Sequence, residues 1–301
     1  LYLDEEIFLS FWTTIKFGFW TIIVTTVMAV PMAFGVSRTN MPLRNFIRTF
    51  SVLTFASPNF IGAIAWIILL GPRAGKLNTL ITNLFGSEYV LNIFSFNGMV
   101  FVSSLFLYPF TFFAIVSALD NMDSSFEDAA RILGAHKIKT LFTITFPMVI
   151  PAIFAGMVLI FLDCFVLFGI PAILGVPSGV FVMSTKIYNL FMANPPRFEM
   201  AAALATPILI ITAGLLWLER LYSERRRYVT ISGKVNRPEP VDLKGWKYVL
   251  SGFSVLVVFL AVILPSLALL ESSLLRYWGR PFSFANFSLY QYNELFFGFA
   301  Q

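Results

Sequence analysis

The sequence predicts an all-α integral membrane protein, a polytopic helical bundle, and three observations predict it. Of the 301 residues, 58% are hydrophobic and 12% are charged, whereas charged residues make up about 25% of an ordinary soluble domain. Six apolar runs are long enough to cross a hydrocarbon core of ~30 Å, which takes about 20 helical residues. The runs are continuous rather than alternating, which argues against a β-barrel.

The predicted spans follow the apolar runs. They cover residues 14–36, 49–70, 98–118, 148–174, 200–218 and 248–270. Several spans contain helix-breaking residues, such as Pro31, Pro58 and Gly156. Helical bundles tolerate these residues where neighbouring helices satisfy the freed backbone groups. Such breaks are typical of transporters.

Lysine and arginine are distributed unequally between the connections. Fourteen lie in residues 37–48, 119–147 and 219–247, and six lie in residues 1–13, 71–97, 175–199 and 271–301. Because cytoplasmic loops carry the excess of positive charge, the first set is expected to face the cytoplasm. The formal charge of +5 is spread between apolar runs, so lipid headgroups explain it better than nucleic acid does.

The reactive side chains are few. Cys164 is the only cysteine and excludes an internal disulfide, and His136 is the only histidine, with no second ligand at metal spacing. We therefore expect no metal site, no cofactor and no catalytic residue. Asp163 lies inside a predicted span. Because charge in lipid is costly, it is a candidate for the substrate path, although it could instead hydrogen-bond a neighbouring helix.

The connection 120–147 predicts a short amphipathic helix, a sharp turn and a second helix. Ser124 and Glu127 form a capping box, and apolar residues follow at helical spacing. Gly134 can adopt the left-handed conformation that ends a helix. The second helix continues until Pro147, which is expected to interrupt it. Such a segment suits docking to a protein surface; the alternative is an interfacial helix that only rests on the lipid headgroups.

The same connection resembles the EAA loop of ABC-transporter permeases, whose pattern is E-A-A, three residues, G, nine residues, I-x-L-P. The matching positions are Asp128, Ala129, Ala130, Gly134, Ile144 and Pro147. Asp128 replaces the usual glutamate, although Glu127 precedes it, and Phe146 replaces leucine. The resemblance implies the fold of an ABC importer transmembrane domain. It also implies that these residues and Glu127 couple the protein to a separate ATPase subunit, expected in two copies.

Residues 57–78 and 175–191 are similar to segments of the ferric-iron permease subfamily, which implies a bacterial inner-membrane permease that receives ferric iron from a substrate-binding protein. Phosphonate, polyamine, thiamine or sulfate permeases remain alternatives, as does an ion-coupled secondary transporter. The chain lacks the G-x-x-x-x-G-K-[ST] phosphate loop, so it is not expected to be an enzyme.

The domain organisation implied by this resemblance is a fusion of two membrane units. Residues 1–218 would form the first unit, without its N-terminal span, 219–247 a basic cytoplasmic linker, and 248–301 the start of the second unit. The chain begins with Leu1 and stops after one additional span. We therefore expect it to be part of a chain about twice as long.

Overall fold

A computed structural model describes residues 5–86, 90–123, 125–225, 240–276 and 286–298. These residues are mostly helical, which confirms the all-α class. The α-helices are α1 (Glu5–Arg38), α2 (Arg44–Ala56), α3 (Asn59–Leu70), α4 (Lys76–Phe85), α5 (Phe96–Asp120), α6 (Ser125–Ile132), α7 (Lys137–Thr140), α8 (Phe146–Val166), α9 (Met183–Met192), α10 (Phe198–Arg225), α11 (Trp246–Val258), α12 (Leu264–Ser273) and α13 (Tyr290–Phe297).

Among the described residues, five uninterrupted helical segments are long and apolar enough to cross a membrane. They are α1, α5, Leu141–Val166, the part of α10 from Phe198 to Leu221, and Trp246–Ser273. Each corresponds to a predicted span. The predicted span 148–174 is misplaced, because its helix begins at Leu141 and ends at Val166, before a π-helical turn at Pro171–Gly175.

The span predicted at 49–70 is broken into two helices. The axes of α2 and α3 meet at 104°, with the break at Ser57 and Pro58. Pro58 has no N–H group to continue the helix, and its ring disfavours helical geometry at the residue before it. Ser57 is accordingly extended, with φ −79° and ψ 131°.

The prediction that Pro147 interrupts the second helix is wrong. The helix passes through Pro147 without a break, because a π-helical turn at Leu141–Thr145 precedes it. In that turn the Phe146 N–H donates to the Leu141 carbonyl, five residues back. Pro147 follows directly as the second residue of α8, where the hydrogen-bond pattern already departs from that of a regular α-helix.

Helix α5 forms the centre of the bundle and packs mainly against α1 and α8. Small residues allow close approach: a Cβ on Gly156 of α8 would lie 2.7 Å from the Thr111 Cα of α5. Helix α1 also presents a buried row of small and hydroxyl side chains. This row contains Ser10, Thr14, Gly18, Thr21, Thr25 and Ala29.

Helices α11 and α12 pack against α1, α2 and α3, and Val257, Val258, Ala261 and Ala268 belong to the same apolar core as α5. Near the C-terminal end of α12, Glu271 forms an ion pair of 2.5 Å with Lys76 of α4. The assignment of 248–301 to a second membrane unit stays a prediction. The span formed by α11 and α12 nevertheless packs closely against α1, α2 and α3.

Candidate coupling site

The predicted helix, turn and helix are present in the 120–147 connection. Helix α6 covers Ser125–Ile132, and Gly134 has φ 84°, as predicted for a left-handed helix end. The Ala135 N–H donates to the Ala130 carbonyl at 2.9 Å, which closes the turn in the way that glycine at this position favours. Ser124 of the predicted capping box lies outside the described residues.

The tip of this connection presents apolar side chains to its surroundings. Ile132 and Leu133 are 86% and 88% exposed, and Gly134 and Ala129 are also exposed. Ala130 is half-buried. Exposed leucine and isoleucine beside two small residues form a surface that another protein can approach closely.

Glu127, in the first turn of α6, points back into the bundle and is 6% exposed. Its Oε1 accepts a hydrogen bond of 2.8 Å from the Thr145 hydroxyl and lies 3.7 Å from Arg38 Nε. Arg38 is 4% exposed, and its Nη2 donates to the Leu119 carbonyl at 2.9 Å. We call Arg38, Glu127, Thr145 and the Leu119 carbonyl the Arg38 junction.

The sequence did not single out Arg38. It ends an apolar run and was interpreted only as one of the positive charges that orient the chain. Its partner Leu119 lies 81 residues further along the chain, so no local spacing connects them. The neighbouring pair of Arg48 and Asp120, 2.9 Å apart, is much more exposed.

The end of the basic linker also reaches Arg38. The Val241 N–H donates to the Arg38 carbonyl at 2.8 Å, and the Asn40 N–H donates to the Val241 carbonyl at 3.2 Å. The Asn40 amide donates to Asp242 at 2.6 Å. Two hydrogen bonds lower the pKa of Asp242: the larger effect comes from the Lys244 backbone N–H and the smaller from the Asn40 side-chain amide. Asp242 therefore accepts these two hydrogen bonds as a carboxylate at neutral pH. Residues 226–239 of the linker lie outside the described residues.

The other predicted site residues are dispersed. Asp128 belongs to α6, although its side chain is outside the described part. Ile144 is half-buried in the π-helical turn, and Pro147 is exposed. Asp163 is half-buried one turn before the end of α8. It is remote in sequence from the connection, and its place in a substrate path stays a prediction.

A cavity of ≈ 630 Å³, lined by both apolar and polar side chains, lies near the opposite end of α1 from Arg38. Its polar lining comes from α1 and α9. The polar lining residues are Glu6, Ser10, Thr13, Lys16, Lys186 and Asn189. Lys186 forms an ion pair with Glu6, and Lys16 Nζ lies 5.8 Å from the centre of the Trp12 ring.

Comparison with known proteins identifies the family of this chain. Residues 25–228 match the model of the binding-protein-dependent transport system inner membrane component. The chain belongs to this family. It is therefore an inner-membrane protein, and the matched region includes α2 to α10 together with the 120–147 connection.

Individual relatives agree with the family. The chain is 28% identical over 232 residues to the putative ferric transport system permease protein FbpB 1 of Haemophilus influenzae, covering 76% of this chain and 36% of that protein. It is 29% identical over 172 residues to the putative 2-aminoethylphosphonate transport system permease protein PhnU of Salmonella typhimurium, covering 56% and 59%. The chain thus spans about a third of the length of the ferric relative.

Solved structures share the fold. A chain of the bacterial alginate ABC transporter, crystallised in complex with an alginate pentasaccharide-bound periplasmic protein, superposes with a TM-score of 0.60. The match covers 78% of this chain and 83% of that chain at 18% identity. The bundle therefore has the ABC importer transmembrane-domain fold.

Proposed function

We propose that this chain is a permease subunit of an ABC importer. It would form part of the path for a substrate delivered by a binding protein and would be driven by a separate ATPase, in two copies. The observation that carries the proposal is the 120–147 connection. It presents Ile132 and Leu133 on a short helix at one end of the bundle, next to a positive-φ glycine. This is the EAA segment of the family to which the chain belongs.

The coupling residues in this proposal are Glu127, Asp128, Ala129, Ala130, Gly134, Ile144 and Pro147. Their roles differ. Ala129 and Ala130 leave room for a protein surface to approach, and Gly134 permits the turn that exposes the tip. Glu127 instead contacts the bundle itself. The cavity at the opposite end of α1 is the candidate entrance for substrate.

Ferric iron is the proposed substrate. The supporting observation is the similarity to a ferric transport permease over 76% of this chain. The phosphonate permease is similar over 56% of the chain, so a phosphonate is the second candidate. Uptake of radiolabelled ferric iron and of 2-aminoethylphosphonate into proteoliposomes, each with the corresponding binding protein, distinguishes the two substrates.

The coupling assignment is tested with two substitutions. Gly134→Val places a β-branched side chain at φ 84°, a conformation that such residues rarely adopt, and Ala130→Asp adds a charge beside the proposed docking surface. The full chain is reconstituted with its ATPase and binding protein. We expect both variants to insert and to lose most uptake, while the binding protein still captures substrate.

Two control substitutions show whether the effects come from the backbone conformation at residue 134 and the small side chain at residue 130. Gly134→Asn retains a residue that tolerates positive φ, and Ala130→Ser retains a small side chain. Both controls are expected to keep most of the uptake. Normal uptake by Gly134→Val and Ala130→Asp would overturn the coupling assignment, and a wild-type chain without ATP-dependent uptake would overturn the proposed function.

A further inference from the structure

The Arg38 junction anchors one end of the coupling helix to the membrane bundle. Glu127 is in the first turn of α6, and its described contacts are with Arg38 of α1 and Thr145 of the π-helical turn that leads into α8. The other end of α6 carries the exposed Ile132 and Leu133. The helix is therefore fixed to the spans at its beginning and accessible to a partner at its end.

Arg38 connects three further parts of the chain. Its guanidinium donates to the Leu119 carbonyl near the end of α5, and its Nε faces Glu127. Its backbone carbonyl accepts from the Val241 N–H, in the segment that leads into α11. This residue at the end of α1 therefore contacts the end of α5, the coupling helix α6 and the approach to α11.

Burial makes this connection resistant to separation. Arg38 and Glu127 are both less than a tenth exposed, and an isolated buried charge is strongly unfavourable when its partner is removed. A displacement of α6 that left Arg38 in place would separate the two charges in a poorly hydrated environment. The favourable movement is one in which α6, the end of α1 and the Thr145 turn move together.

We propose that the Arg38 junction is the positioning link through which displacement of α6 reaches α1, α5, α8 and, through Val241, α11. The proposal rests on the importer function proposed above and adds that Glu127 acts toward the membrane spans rather than toward the ATPase. Arg38 and Thr145 are thereby positioning residues for transport, although neither lies on the exposed surface of the connection.

The first test replaces both charges. In the reconstituted full-length transporter, Arg38→Met with Glu127→Gln is expected to lower the substrate transported per ATP hydrolysed by about tenfold, within the usual range of coupling between two sites. ATPase binding and ATP hydrolysis are expected to continue. The matched control is Lys76→Met with Glu271→Gln, which removes an ion pair at the opposite end of the bundle and is expected to leave the ratio unchanged.

The second test changes no charge and guards against misfolding of the first variant. Thr145→Val removes the hydroxyl that donates to Glu127 at nearly constant volume, and Thr145→Ser retains it. We expect the amount of substrate transported per ATP hydrolysed to fall several-fold in the Thr145→Val variant and to stay near the wild-type value in the Thr145→Ser variant.

Three outcomes would be decisive. Equal transport per ATP in the valine variant, the serine variant and the wild type would overturn the link. Loss of ATPase binding in the charge variant would also overturn it, since Glu127 would then act in docking. Absence of wild-type uptake would instead refute the proposed function.

Discussion

Helices α5 and α10 have the same mean hydropathy over their most apolar windows, yet 78% of the α5 window is buried within the described structure and 11% of the α10 window is. The difference lies in position, because α5 packs against α1 and α8 at the centre of the bundle, whereas α10 contacts mainly α8 and α9. Helix α5 buries Gly98, Ser103, Ser104 and Thr111, whose small size permits close packing. Helix α10 exposes large side chains such as Leu209, Ile210 and Trp217.

Hydropathy therefore identifies a membrane helix but not its neighbours. Lipid is as apolar as leucine, so helices associate in a membrane mainly through close packing and hydrogen bonds. The described packing makes α5 the central helix of this unit, while α10 presents most of its surface outward. Substitutions of the same type should therefore have different effects in the two helices.

Truncation of a large side chain should show the largest difference. Phe112 of α5 is fully buried and Leu209 of α10 is 71% exposed. Phe112→Ala is expected to reduce stability by about 3–5 kcal/mol through lost contacts and the cavity left behind. Leu209→Ala should change it by less than about 1 kcal/mol. Thermal unfolding of the purified protein in detergent measures both, and equal losses would contradict the assignment of α5 as the central helix.

Glycine substitutions should produce an intermediate difference. A Cβ on Gly156 would meet the Thr111 backbone of α5, whereas a Cβ on Gly214 of α10 would meet no atom within 4 Å among the described residues. Gly156→Ala should destabilise the bundle by about 1–3 kcal/mol through overpacking. Gly214→Ala should be neutral or should stabilise it by up to about 1 kcal/mol, since alanine favours helix. A destabilised Gly214→Ala would indicate that α10 has a close neighbour.

Removal of one hydroxyl should give the smallest difference. The Tyr108 hydroxyl of α5 is buried and lies 3.0 Å from the Ser51 hydroxyl of α2. Tyr108→Phe should cost about 1 kcal/mol, the usual net value of one hydrogen bond. In α10, Thr206 donates only to the Ala202 carbonyl of its own helix at 3.1 Å, so Thr206→Val should have little effect. Unfolding temperatures that rank these two variants in the opposite order would contradict the comparison.

Residue patterns by themselves determined the membrane class, the approximate spans and the turn at Gly134, because hydropathy and backbone preference are properties of short segments. The proline at 58 indicated a possible break, but its 104° angle depends on how α2 and α3 pack. The same limitation applied to Pro147, whose effect was mispredicted because a π-helical turn cannot be inferred from helical spacing.

Only the tertiary structure decided that Glu127 faces Arg38 and Thr145 rather than forming part of the exposed tip of the connection. Arg38 is far from Glu127 and Thr145 in the chain, and the three become neighbours because α1, α6 and the start of α8 meet at one end of the bundle. Arg38 follows an apolar run like other positive charges of the chain, but because it is buried there it pairs specifically with Glu127. Sequence patterns record which segments enter the membrane, whereas the pairing of buried polar groups depends on which segments pack together.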